Sequence, residues 1–305
     1  MHRPGVIPLR PLTLGDIFGG ALSTMRRNPE ATLGMSVVVM GVVLLPSLLI
    51  SLGLGALTRL SPEDISLVGI FLPSLLSIFA TLALSGFIIY VVSEAALGDK
   101  VGLGQTWAAV RGRIPALVGV TLLATLALLV IAGVVLAPTL VLAAAVGEVA
   151  GVLLVVLGMV ALVVLMVWVG VRLALASAPV VLERTGPLRG IGRSWSLTSG
   201  GQFWRVLGIL LLSQLLASIF ASVVATPVQL LFTGLTATAT DDLAVMSTGL
   251  VVVQHLVQFV TSVIVTPFTA GVTALLYLDQ RIRREGLDLR MQQAALQRAG
   301  TRTPR

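Results

Sequence analysis

Long apolar stretches separated by short polar intervals dominate the chain. Six of them contain no Asp, Glu, Lys or Arg: Ala31–Leu57, Ile65–Ser93, Ile114–Gly147, Val149–Val171, Val206–Thr240 and Leu243–Leu278. A helix needs about 20 apolar residues to cross the hydrocarbon core of a bilayer, and each stretch is long enough. A membrane β-strand would alternate apolar and polar positions over about ten residues, which none of the six does. The pattern predicts an all-α integral membrane protein with six transmembrane helices. Pro46, Pro73, Pro138, Pro227 and Pro267 fall inside these stretches, where each removes an intrahelical hydrogen bond.

The intervals share a frame. "LGDIFGGALSTMRRNPEATLG" (Leu14–Gly34), "LGQTWAAVRGRIPALVG" (Leu103–Gly119) and "LRGIGRSWSLTSGGQFWRVLG" (Leu188–Gly208) each open on Leu, reach Arg and end in Gly at the mouth of an apolar stretch. In the first, Leu14, Ile17, Phe18, Ala21, Leu22 and Met25 recur at helical spacing. Thr13 with Asp16 three residues on reads as a capping box, and Asn28-Pro29 ends the helix. Leu103, Trp107, Val110 and Ile114 keep the period in the second, and Leu188, Ile191 and Trp195 in the third, before Ser199-Gly200-Gly201 breaks it. Short amphipathic helices bearing Arg and Trp beside membrane spans lie in the interface plane. The expected architecture is three tandem units, each an amphipathic interfacial helix followed by a transmembrane hairpin, at about residues 12–97, 102–183 and 187–280. Together they form a single polytopic membrane domain over residues 1–290, pseudo-threefold in arrangement, with residues 291–305 a disordered tail. Each hairpin returns near an acid, Glu94, Glu183 or Asp279.

Composition agrees with the class and charge orients it. Hydrophobic residues make up 56% of the 305, charged residues 11%, and the mean hydropathy is +1.04; soluble domains carry about 25% charged residues. Of 20 basic residues all but Arg59 fall on the side that holds both ends of the chain. By the positive-inside rule both termini are cytoplasmic. The net charge of +7 then faces the anionic inner leaflet, and no nucleic-acid partner is needed to explain it. The N-terminal residues lack the order of a cleavable signal. Zero cysteines exclude disulfides and thiolate chemistry. The preference for Arg over Lys suits a GC-rich bacterial genome, and the expected location is a bacterial plasma membrane.

The stretches "IPLRPLTLGDIFGGALSTMRRNP", "APVVLERTGPLRGIGRSWSLTSGGQFWRVLG" and "LLYLDQRIRREGLDL" resemble a bacterial, mainly actinobacterial, membrane family. It is similar to the membrane domain attached to some glycerophosphodiester phosphodiesterases. The resemblance implies a polytopic helical module without an activity of its own. The soluble catalytic barrel of those enzymes, with its His and acidic metal ligands, has no counterpart in this sequence.

Candidate functional residues fall in two groups. At the lipid interface stand Arg26, Arg27, Trp107, Arg111, Arg113, Arg189, Arg193, Trp195, Trp204 and Arg205, suited to anionic phosphates and headgroup depth. The rival reading pairs these arginines with Glu183 or the other acids. Within the last stretch Gln254, His255, Gln258 and Thr261 form a polar stripe. Such residues mark a pathway or hydrogen-bond neighbouring helices, with Gln214 or Gln229 as partners, at about 0.6–2 kcal/mol each; the second reading is preferred. Glu94 and Arg172 could form a buried pair, although snorkelling suits Arg172 better. Gly147 and Gly151 allow close helix contact. No phosphate loop, nucleophile elbow or metal-ligand spacing is present, so neither catalytic residues nor a cofactor are expected. The leading expectation is a non-enzymatic accessory or scaffold protein engaging membrane lipids, anionic ones above all, and a membrane-protein partner or a second copy of itself. The alternative is a small transporter or flippase-like carrier of a lipid or lipid-linked precursor. A membrane-embedded lipid enzyme is disfavoured by the missing catalytic acids.

Overall fold

The computed structural model describes residues 10–57, 80–96, 98–239 and 243–285, and every regular element among them is helical. The helices are α1 (Leu14–Arg27), α2 (Met35–Leu57), α3 (Ala80–Ala96), α4 (Leu103–Val110), α5 (Ile114–Ala145), α6 (Glu148–Leu173), α7 (Ser177–Leu182), α8 (Pro187–Leu197), α9 (Gln202–Ala239) and α10 (Leu243–Glu285). A wide π-turn at Glu30–Gly34 leads into α2 and a 3-10 turn at Arg111–Arg113 into α5. Five helical segments are long and apolar enough to cross a membrane: Glu30–Gly53, Leu103–Ala145, Glu148–Leu182, Gln202–Thr236 and Thr248–Glu285. The second expected span lies partly outside the described residues, and its described part, Ala80–Ala96, is a shorter apolar helix. Arg59, Pro73, Asp241 and the expected tail at residues 291–305 also lie outside them. Pro46, Pro138, Pro227 and Pro267 sit within α2, α5, α9 and α10, which continue past them.

The three short helices α1, α4 and α8 start alike. Their capping residues Thr13, Gly102 and Gly186 are extended, with ψ of 169°, 171° and 168°. The capping box of α1 is complete: Asp16 N donates to Thr13 Oγ1 at 3.2 Å and Thr13 N to Asp16 Oδ2 at 3.0 Å. Gly102 has no side chain to accept, so α4 keeps half the device, Gly102 N donating to Gln105 Oε1 at 3.4 Å. Counted from each cap, the fourth and eighth helical residues are buried in all three: Ile17 and Ala21, Thr106 and Val110, Gly190 and Ser194. Of the three glycines that end the sequence frame, Gly119 is the crowded one, while a side chain at Gly34 would make ordinary contact. A Cβ on Gly34 would lie 3.7 Å from Leu103, the first residue of α4, and one on Gly119 2.8 Å from Pro187, the first residue of α8. Gly208 faces open space.

The buried faces match the apolar periodicity only in part. On α1, Ile17, Ala21 and Met25 are buried while Leu14 and Leu22 are exposed; on α8, Leu188 and Trp195 are exposed and Gly190, Ser194 and Leu197 buried. A helix bathed in lipid can turn large apolar side chains outward and pack its small residues inward.

The chain divides into two compact units, residues 1–112 with 209–305 and residues 113–208, a division that cuts across the repeat units read from sequence. In the first, the C-terminal half of α10 is enclosed, with Val272, Leu276 and Tyr277 inaccessible. α1 and α2 pack on α10; Phe18 stacks on Phe268 with centroids 6.1 Å apart. A Cβ on Gly271 would approach Ala21 Cβ to 3.2 Å and Val92 of α3 to 3.9 Å. Asp279, fully buried, accepts from Leu12 N at 2.8 Å and from Arg283 Nε at 2.9 Å, while Arg283 Nη2 donates to Leu12 O at 3.1 Å. This clamp ties the segment before α1 to the end of α10.

In the second unit α5 and α6 form a hairpin closed by Gly147 at φ 87°, a left-handed turn suited to glycine. Val134, Val141, Val149 and Leu157 along it are largely exposed. An apolar surface of that extent is unsuited to water. α8 packs on α5, α6 and α7. A Cβ on Gly190 would meet Val180 at 2.8 Å and Ala176 O at 3.0 Å, so only glycine admits this approach of α8 to α7.

Candidate functional site

The expected lipid-interface residues divide by surroundings. Arg26, Arg27, Arg111 and Arg189 are exposed, and Arg113 and Arg205 partly so. Leu188 and Trp204 are each 74% exposed, Trp107 47% and Trp195 39%. Trp107 stacks on Phe87 of α3 at 5.5 Å. Arg193 takes the rival course foreseen from the acids. Its Nε and Nη2 both donate to Glu183, at 3.3–3.4 Å, as a forked ion pair bracing α8 against the end of α7. Arg27 and Lys100, the chain's one lysine, line an open cleft of about 300 Å³, beside which Asn28 Oδ1 accepts from Val101 N at 3.3 Å.

Arg172 is the residue whose surroundings the sequence least foretold. At the end of α6 its guanidinium carbon lies 5.5 Å from the Trp168 ring centroid, 5.4 Å from that of Trp195 and 5.8 Å from that of Phe203. Trp168 and Trp195 meet edge to face at 5.3 Å. Nη1 donates to Trp195 O at 3.4 Å, while Nε is buried without a hydrogen-bond partner. Among the described residues the guanidinium meets no carboxylate. Ser194, itself buried, holds the neighbourhood in register: its Oγ donates to Arg172 O at 2.6 Å and accepts from Leu175 N at 3.2 Å. These two backbone groups, orphaned where α6 ends, would otherwise be unsatisfied. The one signal in the sequence was the coincidence of Trp168, Arg172 and Trp195 in an otherwise aromatic-poor chain, with aromatics at 5%.

The polar stripe of α10 is split. His255 Nε2 lies 3.2 Å from Ser47 Oγ of α2, and its Nδ1 is 2.8 Å from Val251 O. Thr261 is buried and donates back to Val257 O at 2.7 Å. Gln254 and Gln258 are exposed, the Gln258 side-chain amide donating to Ser262 Oγ at 3.0 Å. Gln214 and Gln229, expected as cross-helix partners, are exposed on α9. They share a face with Ser218, Ser222, Thr226 and Thr233, all exposed; at 3.6 residues per turn the six fall within an arc of about 120°. The bond that links the stripe to another helix is therefore to Ser47 of α2.

Helices of this length and apolarity, with large aliphatic side chains turned outward, define a multi-pass α-helical membrane protein. The chain belongs to the family described as "Domain of unknown function (DUF7847)", which matches residues 12–280. No curated protein and no solved structure matches it.

Proposed function

We propose that the chain is a non-enzymatic plasma-membrane protein, an accessory or scaffold module that engages anionic lipids of the inner leaflet together with membrane-protein partners. It comprises six spans in three tandem units, with both ends in the cytoplasm. The observation that carries this reading is the outward face of the short helices. Leu188, Trp195 and Arg189 on α8, Leu14, Leu22, Arg26 and Arg27 on α1, and Trp107 and Arg111 at α4 put apolar, aromatic and cationic groups on surfaces that the protein leaves uncovered. That combination matches the headgroup boundary. The likeness to the membrane domain of glycerophosphodiester phosphodiesterases fits a module of this kind. A partner within the membrane is supported by the exposed Gln214 and Gln229 on α9, since a primary amide facing hydrocarbon gains from a hydrogen-bonding neighbour.

Vesicle flotation of the detergent-purified protein, with and without phosphatidylglycerol, tests the lipid reading. Arg189→Gln with Arg111→Gln should weaken association with anionic vesicles while leaving thermal stability intact, and the difference should shrink at 0.5 M salt through screening. Arg193→Gln should lower stability instead, because it removes the forked ion pair to Glu183. Unchanged vesicle association in the Arg111/Arg189 variant would refute the proposal.

A further inference from the structure

Arg172 carries an inference beyond general lipid contact. We infer that Arg172, with Trp168, Trp195 and Phe203, forms a discrete site for a phosphate-bearing anion, the phosphodiester of an anionic lipid or free phosphate; the inference rests on the lipid-engaging reading above and specifies one of its sites. Three aromatic rings surround the guanidinium at 5.4–5.8 Å, and electron-rich ring faces hold a cation in place without neutralising it. An arginine has five N–H donors. One is used, at 3.4 Å to Trp195 O, and Nε–H is buried with no partner among the described residues. The contrast with other arginines is direct: Arg193 is forked onto Glu183, while Arg283 pairs with Asp279 and Arg281 with Glu285. A positive charge held among rings and supplied with no carboxylate by the described residues is open to an anion from elsewhere. The ring side chains bring no carboxylate to the guanidinium donors, which phosphate oxygens can accept in pairs.

The arrangement is also preorganised. Ser194 fixes the backbone at Arg172 and Leu175 to α8 through its 2.6 Å and 3.2 Å bonds. The adjacent residue, Trp195, is the ring against which the guanidinium lies. Ser194 is thus a positioning residue, aligning the cation with its cage. Trp204, 74% exposed beside Phe203, has the aromatic character of headgroup depth, which favours the lipid over the free ion.

The two tryptophans of the cage make the site readable by fluorescence. The full chain in detergent is titrated separately with short-chain phosphatidylglycerol, phosphatidylcholine and inorganic phosphate. Wild type should show a saturable change with phosphatidylglycerol, and Arg172→Gln should lose about tenfold or more in affinity, the scale of charge-assisted hydrogen bonds. Arg172→Lys keeps the charge but not the fork and should fall between. Saturation by phosphatidylglycerol at far lower concentration than by inorganic phosphate identifies the lipid; equal saturation by inorganic phosphate identifies the free ion. Saturation by phosphatidylcholine equal to that by phosphatidylglycerol, no saturation by any of the three, or wild-type affinity in folded Arg172→Gln overturns the site. Should Arg172→Gln fail to fold by circular dichroism, wild-type affinity in Arg172→Lys overturns it equally. Failure here combined with weakened vesicle association in the Arg111/Arg189 variant removes this site and leaves the proposed function standing.

Discussion

Adding one methyl group at Gly151 sets two effects of known size against each other. In a helix interior Ala is favoured over Gly by about 1 kcal/mol, so Gly151→Ala should stabilise α6 if nothing stood in the way. Something does. A Cβ there would lie 2.6 Å from the carbonyl oxygen of Ala143 and 3.3 Å from its carbon, across the α5–α6 hairpin. Comfortable carbon–oxygen contacts begin at about 3.3 Å, so the helices must part locally by about 0.7 Å. The obstructing atom is backbone and cannot rotate away. Overpacking of this kind costs about 1–3 kcal/mol, and the sum is neutral to about 2 kcal/mol destabilising. Gly158, where a Cβ would meet Thr139 Cγ2 at 2.5 Å and Oγ1 at 2.7 Å, should behave likewise, because the Thr139 hydroxyl is held by Val135 O at 2.6 Å. Close packing matters more here than in water, since lipid competes with apolar side chains on equal terms. Gly170, in the same helix with nothing within 4 Å, is the control. Unfolding in micelles titrated with a denaturing detergent should rank Gly170→Ala at or above wild type and Gly151→Ala below it. A Gly151→Ala protein more stable than wild type would refute the steric argument.

Reporter fusions at Gly102 and Gly186 should read as cytoplasmic and those at Glu148 as external; a cytoplasmic signal at Glu148 would break the proposed topology. Asp279→Ala removes the carboxylate that accepts from Leu12 N and Arg283 Nε, and should cost about 3 kcal/mol in thermal unfolding; Asp279→Asn keeps an acceptor for Leu12 N and should lose less. Ser194→Ala leaves Arg172 O and Leu175 N unsatisfied inside the second unit, a loss of about 1–3 kcal/mol visible as a lowered melting temperature. His255→Ala should cost only about 0.6–2 kcal/mol, and a double-mutant cycle with Ser47→Ala should show the two losses to be coupled.

The sequence alone determines part of this protein, and its tertiary structure the rest. Apolar runs free of charge define membrane helices because the bilayer core rejects unpaired charge over a fixed thickness. Local chemistry likewise set the start of α1, where Thr13 and Asp16 cap each other within four residues, and its end, where Asn28-Pro29 follows Arg27. Neither inference needed distant contacts. The facing of the helices was a different matter. In water an apolar stripe marks the side turned to the core. In lipid both sides are apolar, so Ile17 and Leu22 belong to one stripe in the sequence yet one is buried and the other exposed. The same ambiguity hid which polar groups meet: His255 found Ser47, more than 200 positions away, whereas Gln254 shares its stripe and faces outward. Arg193 and Arg172 read alike as basic residues near a membrane surface. Only the packing of α8 against α6 and α7 gave one of them Glu183 and the other three aromatic rings. A charge takes its role from whichever partners the fold brings within a few ångströms, and that selection is made between elements distant in sequence.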